Sequence, residues 1–329
     1  MTTTLYQLEL NQNEVNCGSS HVIQLRSGNF IILDGGYFTA GEEDRLYRFL
    51  TERSVGMPRI TAWYFSHAHQ DHVGNFIQFM RKYAAKVQIR QLLYSFHPVE
   101  LSKAAGDWKS SDPATVKAFY ETVETHCAEI EKVKIHKGDR FTFEELTMEV
   151  VYTYGDLYPE PASFNDYSSV IRTTVQDYTI LWLGDVSVKA SKVLLRDKER
   201  LTCEMVQVAH HGNDRHVSLC DLYQATGAKV ALWPTADYNF QRNMDHDVSR
   251  FLLYEMGIQE HIVSGFGTAA LPLPYVPGTA GKFQKTMSLE KQPNPEISFC
   301  MDEVSPGVFQ YLTPDAVFPK ESLSVTKPS

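Results

Sequence analysis

The sequence predicts a layered α+β protein with its chemistry on the loops where buried strands give way to helices. Three observations carry this. Apolar runs of strand length alternate with stretches of helical periodicity along most of the 329 residues. Several strands are joined by short turn signals, Ser27-Gly28-Asn29 and Gln176-Asp177 among them. A segment rich in metal-binding side chains, His67-Ala68-His69-Gln70-Asp71-His72, stands directly between a strand and a helix, where ligand-binding groups commonly collect in layered proteins.

In the first half, residues 5–10 alternate as a strand, and residues 21–26 and 30–34 form a hairpin that ends in Asp34-Gly35-Gly36. Residues 42–55 are helical through Leu46, Phe49 and Leu50. The β-forming run at 60–65 leads into the His-rich loop, and Val73, Phe76, Ile77, Met80 and Ala84 space out a helix over 73–85. Residues 87–94 are the next strand, and nearby Arg81, Lys82, Lys86 and Arg90 read as a solvated helix end. Residues 95–112 read as a loop over the site carrying His97 and Trp108, and Asp112-Pro113 starts a helix.

The second half opens with a hairpin (141–143 and 146–153), followed by Asn165-Asp166-Tyr167-Ser168 and a second hairpin (169–175 and 178–183) that ends in Gly184-Asp185. A helix over 187–198, a strand over 205–209 closed by His210-His211-Gly212, and a helix over 216–227 follow. A strand over 229–234, a helix over 247–256 begun by His246, and a strand over 261–264 complete this half. Residues 276–329 read as an extension with a terminal hairpin (296–301 and 308–312) and a frayed tail, which leaves residues 1–275 as the main domain, with a helical insertion at about 96–134.

Composition bounds the function. With 43% hydrophobic and 22% charged residues the chain can build a full core. A net charge of −9 argues against broad, sequence-independent nucleic-acid binding. Met1-Thr2-Thr3-Thr4-Leu5 shows no leader pattern, and no apolar run reaches the roughly 18 residues of a membrane span. Five scattered cysteines without a CxxC pair fit reduced thiols, so the expectation is a cytoplasmic protein with no membrane partner.

Imidazole nitrogen and carboxylate oxygen suit zinc and its neighbours. On so short a loop His67 and His69 can converge on one ion while Asp71 and His72 turn to a second. Two ions roughly 3.5–4 Å apart clamp both the attacking and the leaving oxygen of a displacement. The plain alternative is a polar loop that happens to be His-rich.

The run from Ser66 to Asn75 resembles the HxHxDH signature of the metallo-β-lactamase superfamily. The resemblance implies a four-layer αββα sandwich with a dinuclear site at the shared edge of its two sheets. It implies that Asp34 supports the metal loop by hydrogen bonds, although a plain Asp-Gly turn would look the same. It also implies that Asp185 bridges the ions and that His210-His211-Gly212 is the last metal motif. His210 is taken as the ligand and His211 as the active-site partner that steadies the substrate anion or protonates the leaving group; sequence leaves that order open.

One departure stands out: no His lies between His136 and His210, where many members carry a further imidazole ligand. Asn165-Asp166-Tyr167-Ser168 resembles instead the Asn-(Asn/Asp)-x-Ser signature of the ComEC-like branch. Asp166 is then an oxygen ligand for the first ion and Asn165 a substrate contact, or the pair forms an Asx turn into a strand. His246 either holds an anion beside the backbone N–H groups of its helix or is structural.

The expected activity is hydrolysis by a metal-activated hydroxide oriented by Asp71 or Asp185, with two divalent ions, Zn2+ or Mn2+. The substrate class implied by the branch is a phosphodiester, either a phosphate-containing small molecule or a short single-stranded nucleic acid. A β-lactam or thioester hydrolase, a flavodiiron-type oxidoreductase (which normally has Glu where His69 stands) and an inactive scaffold or binding member are the rivals. The sequence implies no particular oligomeric state.

Overall fold

The computed structural model describes residues 1–10, 15–106, 111–214 and 216–279. The first half runs β1 (Thr4–Gln7), β2 (His21–Gln24), β3 (Phe30–Leu33), α1 (Glu42–Glu52), β4 (Arg59–Phe65), α2 (Gln70–Tyr83), β5 (Gln88–Ile89), β6 (Gln91–Tyr94), α3 (Val99–Ala104), α4 (Ser111–His126) and β7 (Glu131–Lys134). The second half runs β8 (Arg140–Phe143), β9 (Leu146–Tyr152), β10 (Val170–Val175), β11 (Tyr178–Trp182), α5 (Val188–Leu194), β12 (Met205–Gln207), α6 (Ser218–Thr226), β13 (Val230–Trp233), α7 (Asp237–Arg242), α8 (Asp247–Arg250), β14 (Glu260–Val263) and β15 (Ala269–Pro272).

Two mixed sheets result. One has the order β15-β1-β2-β3-β4-β6-β7, with the short β5 also on β4; the other has the order β14-β13-β12-β11-β10-β9-β8. Read from β15 and from β8, each sheet makes three antiparallel pairings and then three parallel ones. The two halves are therefore copies of one plan, and β15 crosses back from the second half to pair Leu271 with Leu5 of the first.

The apolar runs that marked the strands are continuous because both faces are buried. In β3 and β4, Ile31, Leu33, Ala62 and Tyr64 face the other sheet and join Met148, Val150, Ile180 and Trp182 in the central core. The alternate residues Phe30, Ile32, Trp63 and Phe65 pack under Leu46 and Phe49 of α1, Val73 and Phe76 of α2, and Phe119 of α4. A third core lies between the second sheet and its helices, with Leu181 and Val206 against Leu194, Leu219 and Tyr223. This is the four-layer αββα sandwich expected above.

Local departures have local causes. The strand expected over 87–94 breaks at Arg90, whose N–H bonds Ile60 O while its own carbonyl accepts from Glu131. The helix expected over 187–198 keeps α-geometry only to Leu194; a 3-10 stretch follows, broken at Asp197 (φ −132°, ψ 66°). The helix expected over 247–256 turns π-helical at Phe251. Part of the loop expected over 95–112 is helical, as α3. Trp108 and the terminal hairpin lie outside the described residues. Among the described residues no helix is long and apolar enough to cross a membrane.

Candidate metal centre

The His-rich loop leaves the end of β4 and becomes the first turn of α2, where the His72 and Val73 N–H groups both bond His69 O at 3.0 Å. Asp34, at the end of the neighbouring β3, holds it in shape. Its carboxylate accepts from the Ser66 N–H (2.8 Å), the Ser66 hydroxyl (2.9 Å) and His72 Nδ1 (2.7 Å). Its backbone is left-handed (φ 56°), and its carbonyl accepts from Trp63 Nε1 at 3.1 Å. With Nδ1 of His72 so occupied, Nε2 is the nitrogen left to face the site.

Asp185 comes from the second sheet. It follows Gly184, whose φ of +55° and close neighbours, Ser66 Cβ at 2.9 Å and Ser168 Cβ at 3.0 Å from where a Cβ would stand, leave room only for glycine. The two halves are stapled here by the Ser169 N–H on Ser66 O (2.8 Å) and the Tyr64 hydroxyl on Ser169 O (2.6 Å).

Asp185 Oδ1 lies 3.2 Å from His72 Nε2, and its Oδ2 lies 3.5 Å from His211 Nε2 and 3.8 Å from His67 Nε2. His211 Nε2 is 3.1 Å from Asp71 Oδ2, and His67 Nε2 is 3.0 Å from His69 Nδ1. Among the described residues two donor groups emerge that share one carboxylate: Asp71, His72, Asp185 and His211 in one, His67, His69 and Asp185 in the other, each with its ligand atoms within 4.8 Å of one another.

Of the adjacent histidines, His211 joins the donor group, where the sequence reading took His210 as the ligand. His210 (φ 49°) and His211 (φ 56°) are both left-handed, followed by Gly212 (φ 77°). This turn, unusual for side chains with a Cβ, sends the two rings apart. His211 is 1% exposed and its Nδ1 donates to Pro234 O at 2.8 Å, which leaves Nε2 for the cluster. His210, with a side chain 34% exposed, lies away from it, with Nε2 3.1 Å from Asn165 Nδ2 and Nδ1 3.9 Å from Asp214 Oδ2.

Asp166, expected as an oxygen ligand, faces the other way. Its Oδ1 accepts from the Ser187 and Ala190 N–H groups at the start of α5, and its Oδ2 from the Ser163 hydroxyl. Orphan N–H groups at a helix start are what a short carboxylate satisfies best. Asn165 stands beside His210, with Nδ2 3.1 Å from His210 Nε2. His246 begins α8 and is 8% exposed; its N–H bonds Asn243 O, and Asn243 and Asn239 both donate to the Asn213 side chain beside the His211 turn.

Two residues near the centre escaped the sequence reading. Cys17 Sγ lies 3.5 Å from Asp71 Oδ2, and Asp112 Oδ1 lies 3.9 Å from His69 Nε2. Neither stands in a pattern that would have marked it; Asp112 read only as a helix-start residue.

The superfamily profile described as "Metallo-beta-lactamase superfamily" matches residues 17–218, well over half of the chain. This chain belongs to the metallo-beta-lactamase superfamily. Among solved structures it is similar to the metallo-beta-lactamase fold protein YhfI from Bacillus subtilis (12% identity, 75% of this chain and 92% of that one, TM-score 0.44). It is also similar to a Cronobacter sakazakii metallo-beta-lactamase with a HARLDQ motif (14%, 58% and 71%, TM-score 0.37). A third is zinc-bound PqqB from Methylobacterium extorquens (9%, 59% and 57%, TM-score 0.34). No curated protein sequence matches it.

The electrostatics of this superfamily centre fit cations. Burial disfavours charge on His72, yet the Asp185 and Asp34 carboxylates outweigh it and raise its pKa to about 10. His211 rises well above the ordinary value in the same way, against its burial, through Asp185 and Asp71. Burial also opposes ionisation of Asp185 and Asp71, and the two histidines overcome it and hold both well below the usual carboxylate range. His67 is pushed well below its ordinary value by burial, with His72 and His69 adding to it. Ring nitrogens that face each other at 3.0 Å (His67, His69) and 3.3 Å (His72, His211) against buried carboxylates are a donor arrangement suited to shared divalent ions.

Proposed function

We propose that this chain is a metal-dependent hydrolase of phosphodiesters, of the ComEC-like kind, acting on a phosphate-containing small molecule or a short single-stranded nucleic acid. The observation that carries the hydrolase reading is the pair of donor groups sharing Asp185 at one buried sheet edge. His67, His69 and Asp185 would hold one ion, and Asp71, His72, Asp185 and His211 the other. Bound there, divalent ions such as Zn2+ or Mn2+ supply Lewis-acid charge and acidify water toward neutrality.

The phosphodiester reading is supported by the Asn165–His210 pair. Asn165 Nδ2 and His210 Nε2, 3.1 Å apart, are polar groups of the kind that contact a phosphoryl oxygen. We assign to His210 the passing of a proton to a leaving oxygen, which the sequence reading gave to His211. Its Nδ1 faces Asp214, which is fixed by the Ser187 hydroxyl at 2.8 Å. Burial opposes charge on Asp214, but His210 and Ser187 together hold it below the usual carboxylate range, so it stays an acceptor that can orient the ring. The missing third imidazole supports the same branch over a β-lactamase. Cys17, Cys127, Cys203 and Cys220, thiols rather than disulfides, support a cytoplasmic setting.

The test is a panel on metal-loaded protein: bis-p-nitrophenyl phosphate, cyclic dinucleotides, single-stranded DNA and RNA, with nitrocefin and a thioester alongside. Turnover of at least one phosphodiester, lost on chelation, is expected. Full metal loading with no phosphodiester turnover overturns the substrate class.

A further inference from the structure

The first ion position has three donors, His67, His69 and Asp185, and the inserted segment reaches one of them, His69. His69 has two neighbours of different kinds. Its Nδ1 points at His67 Nε2, 3.0 Å away, and its Nε2 points at Asp112 Oδ1, 3.9 Å away. Asp112 is 5% exposed and lies in the first turn of α4. The helix itself is anchored. Phe119 packs on Phe65 and Phe76, at 5.2 and 5.4 Å between ring centroids, so Asp112 is carried by a rigid element rather than a free loop.

A second contact from the same segment meets the same wall. Phe164 stacks on the His69 ring (4.3 Å, 17° between planes). His97, just before α3, stands edge-on to Phe164 at 4.4 Å and lies over Tyr167 at 4.2 Å. His97 is 5% exposed and hydrogen-bonded to Ser102 of α3. The plane of His69 is thus set by a ring on which the inserted segment rests, and its outer nitrogen faces a carboxylate that the same segment supplies.

We propose that Asp112 is the positioning residue for His69, accepting a hydrogen bond from Nε2–H when Nδ1 is committed to the first ion, so that the inserted segment and the metal centre are set together. A histidine that binds a metal through one nitrogen commonly donates its other N–H to a carboxylate, which fixes the ring and strengthens it as a ligand. The present 3.9 Å is an ion-pair distance. A charge-assisted bond of roughly 2.7–2.9 Å needs about 1 Å of closure, within reach of a rotation of the carboxylate. With one imidazole fewer at this position, the orientation of His69 matters more than it would beside a third ring. The proposal rests on the two-ion reading above and adds to it a residue that no motif marks.

The test uses the full chain, stripped by chelation and titrated with Co2+, with absorbance reporting each site. Wild type, Asp112→Asn (which keeps an oxygen acceptor) and Asp112→Leu (which does not) are compared, with circular dichroism as a check on folding. Two Co2+ sites are expected in the wild type. At one of them affinity should fall in the order wild type, Asn, Leu, with Leu weaker by about 10- to 100-fold and a changed visible spectrum, while the other site keeps its affinity. All three proteins binding within twofold at both sites, or both sites weakening alike, overturns the role. If Asp112→Leu does not fold, the wild-type and Asn proteins decide: equal affinity and spectrum at both sites overturns it. A wild type that binds fewer than two ions overturns the two-ion reading itself, a result separate from any behaviour of the variants.

Discussion

His211 donates through Nδ1 to the carbonyl of Pro234 at 2.8 Å, and that bond leaves its Nε2 to face the donor cluster. Replacing His211 by Ala should remove one of two bound ions, because Nε2 stands 3.1 Å from Asp71 and 3.5 Å from Asp185. Replacing His210 by Ala should leave metal content unchanged and slow turnover by roughly 10²–10⁴-fold, the usual contribution of a placed acid. Elemental analysis with steady-state kinetics on the two variants checks the pair. Loss of metal in His210→Ala with retention in His211→Ala would refute the assignment.

Asp34 accepts three hydrogen bonds from the loop, from His72 Nδ1 and from the N–H and hydroxyl of Ser66, whose hydroxyl also lies 3.1 Å from His67 Nδ1. Asp34→Ala leaves buried donors unsatisfied, at roughly 1–3 kcal/mol each. The variant should unfold at a clearly lower urea midpoint even without metal, and bind metal about 10- to 100-fold more weakly. An unchanged midpoint would count against the support role.

The ion-free centre has a pH signature. His72 and His211 have folded pKa values above the ordinary 6.5, so their protonation stabilises the fold fully below that pH and the effect is lost as pH rises through those raised values, about 10 for His72. Asp71 and Asp185 lie below 3.8; their ionisation stabilises the fold above that value and the effect is lost on acidification beneath it. A divalent ion competes with the histidine protons. Metal should therefore raise the melting temperature more at about pH 8 than at about pH 5.5, and binding near neutrality should release at least one proton. Calorimetry in buffers of different ionisation enthalpy measures that release; none would contradict the arrangement.

Gly184→Ala tests how closely the halves meet. The new methyl would sit 2.9 Å from Ser66 Cβ at a φ of +55°. Ser66 is bonded to Asp34 and lies 3.2 Å from His72 Nδ1, so the strain should reach the metal loop. A loss of about 1–3 kcal/mol of stability is expected, together with weaker metal binding, read by thermal melts with and without zinc.

The legible part of this centre was the part carried by one turn of chain. His67, His69, Asp71 and His72 announce themselves because four candidate ligands stand within six residues after a buried strand. Asp185 was legible as a carboxylate closing an apolar run. The order of His210 and His211 was not, because adjacent side chains on a turn are aimed by backbone angles, here 49° and 56°, that composition does not encode. Asp166 misled because a ligand and a helix-start acceptor share one chemistry; the N–H groups of Ser187 and Ala190 claim it. Asp112 reaches His69 only through the tertiary packing of α4 on α2. In the fold, the double-sided burial of β3 and β4 made strands easy to read, while the breaks at Arg90 and Asp197 arise from pairing and packing that local pattern does not carry.

The central claim is that two ions share Asp185. Anomalous diffraction at the zinc edge from crystals of the metal-loaded full chain tests it most directly. Two peaks are predicted roughly 3.5–4 Å apart, one held by His67, His69 and Asp185 and the other by Asp71, His72, Asp185 and His211. A single peak, or an ion held by His210 in place of His211, would contradict it.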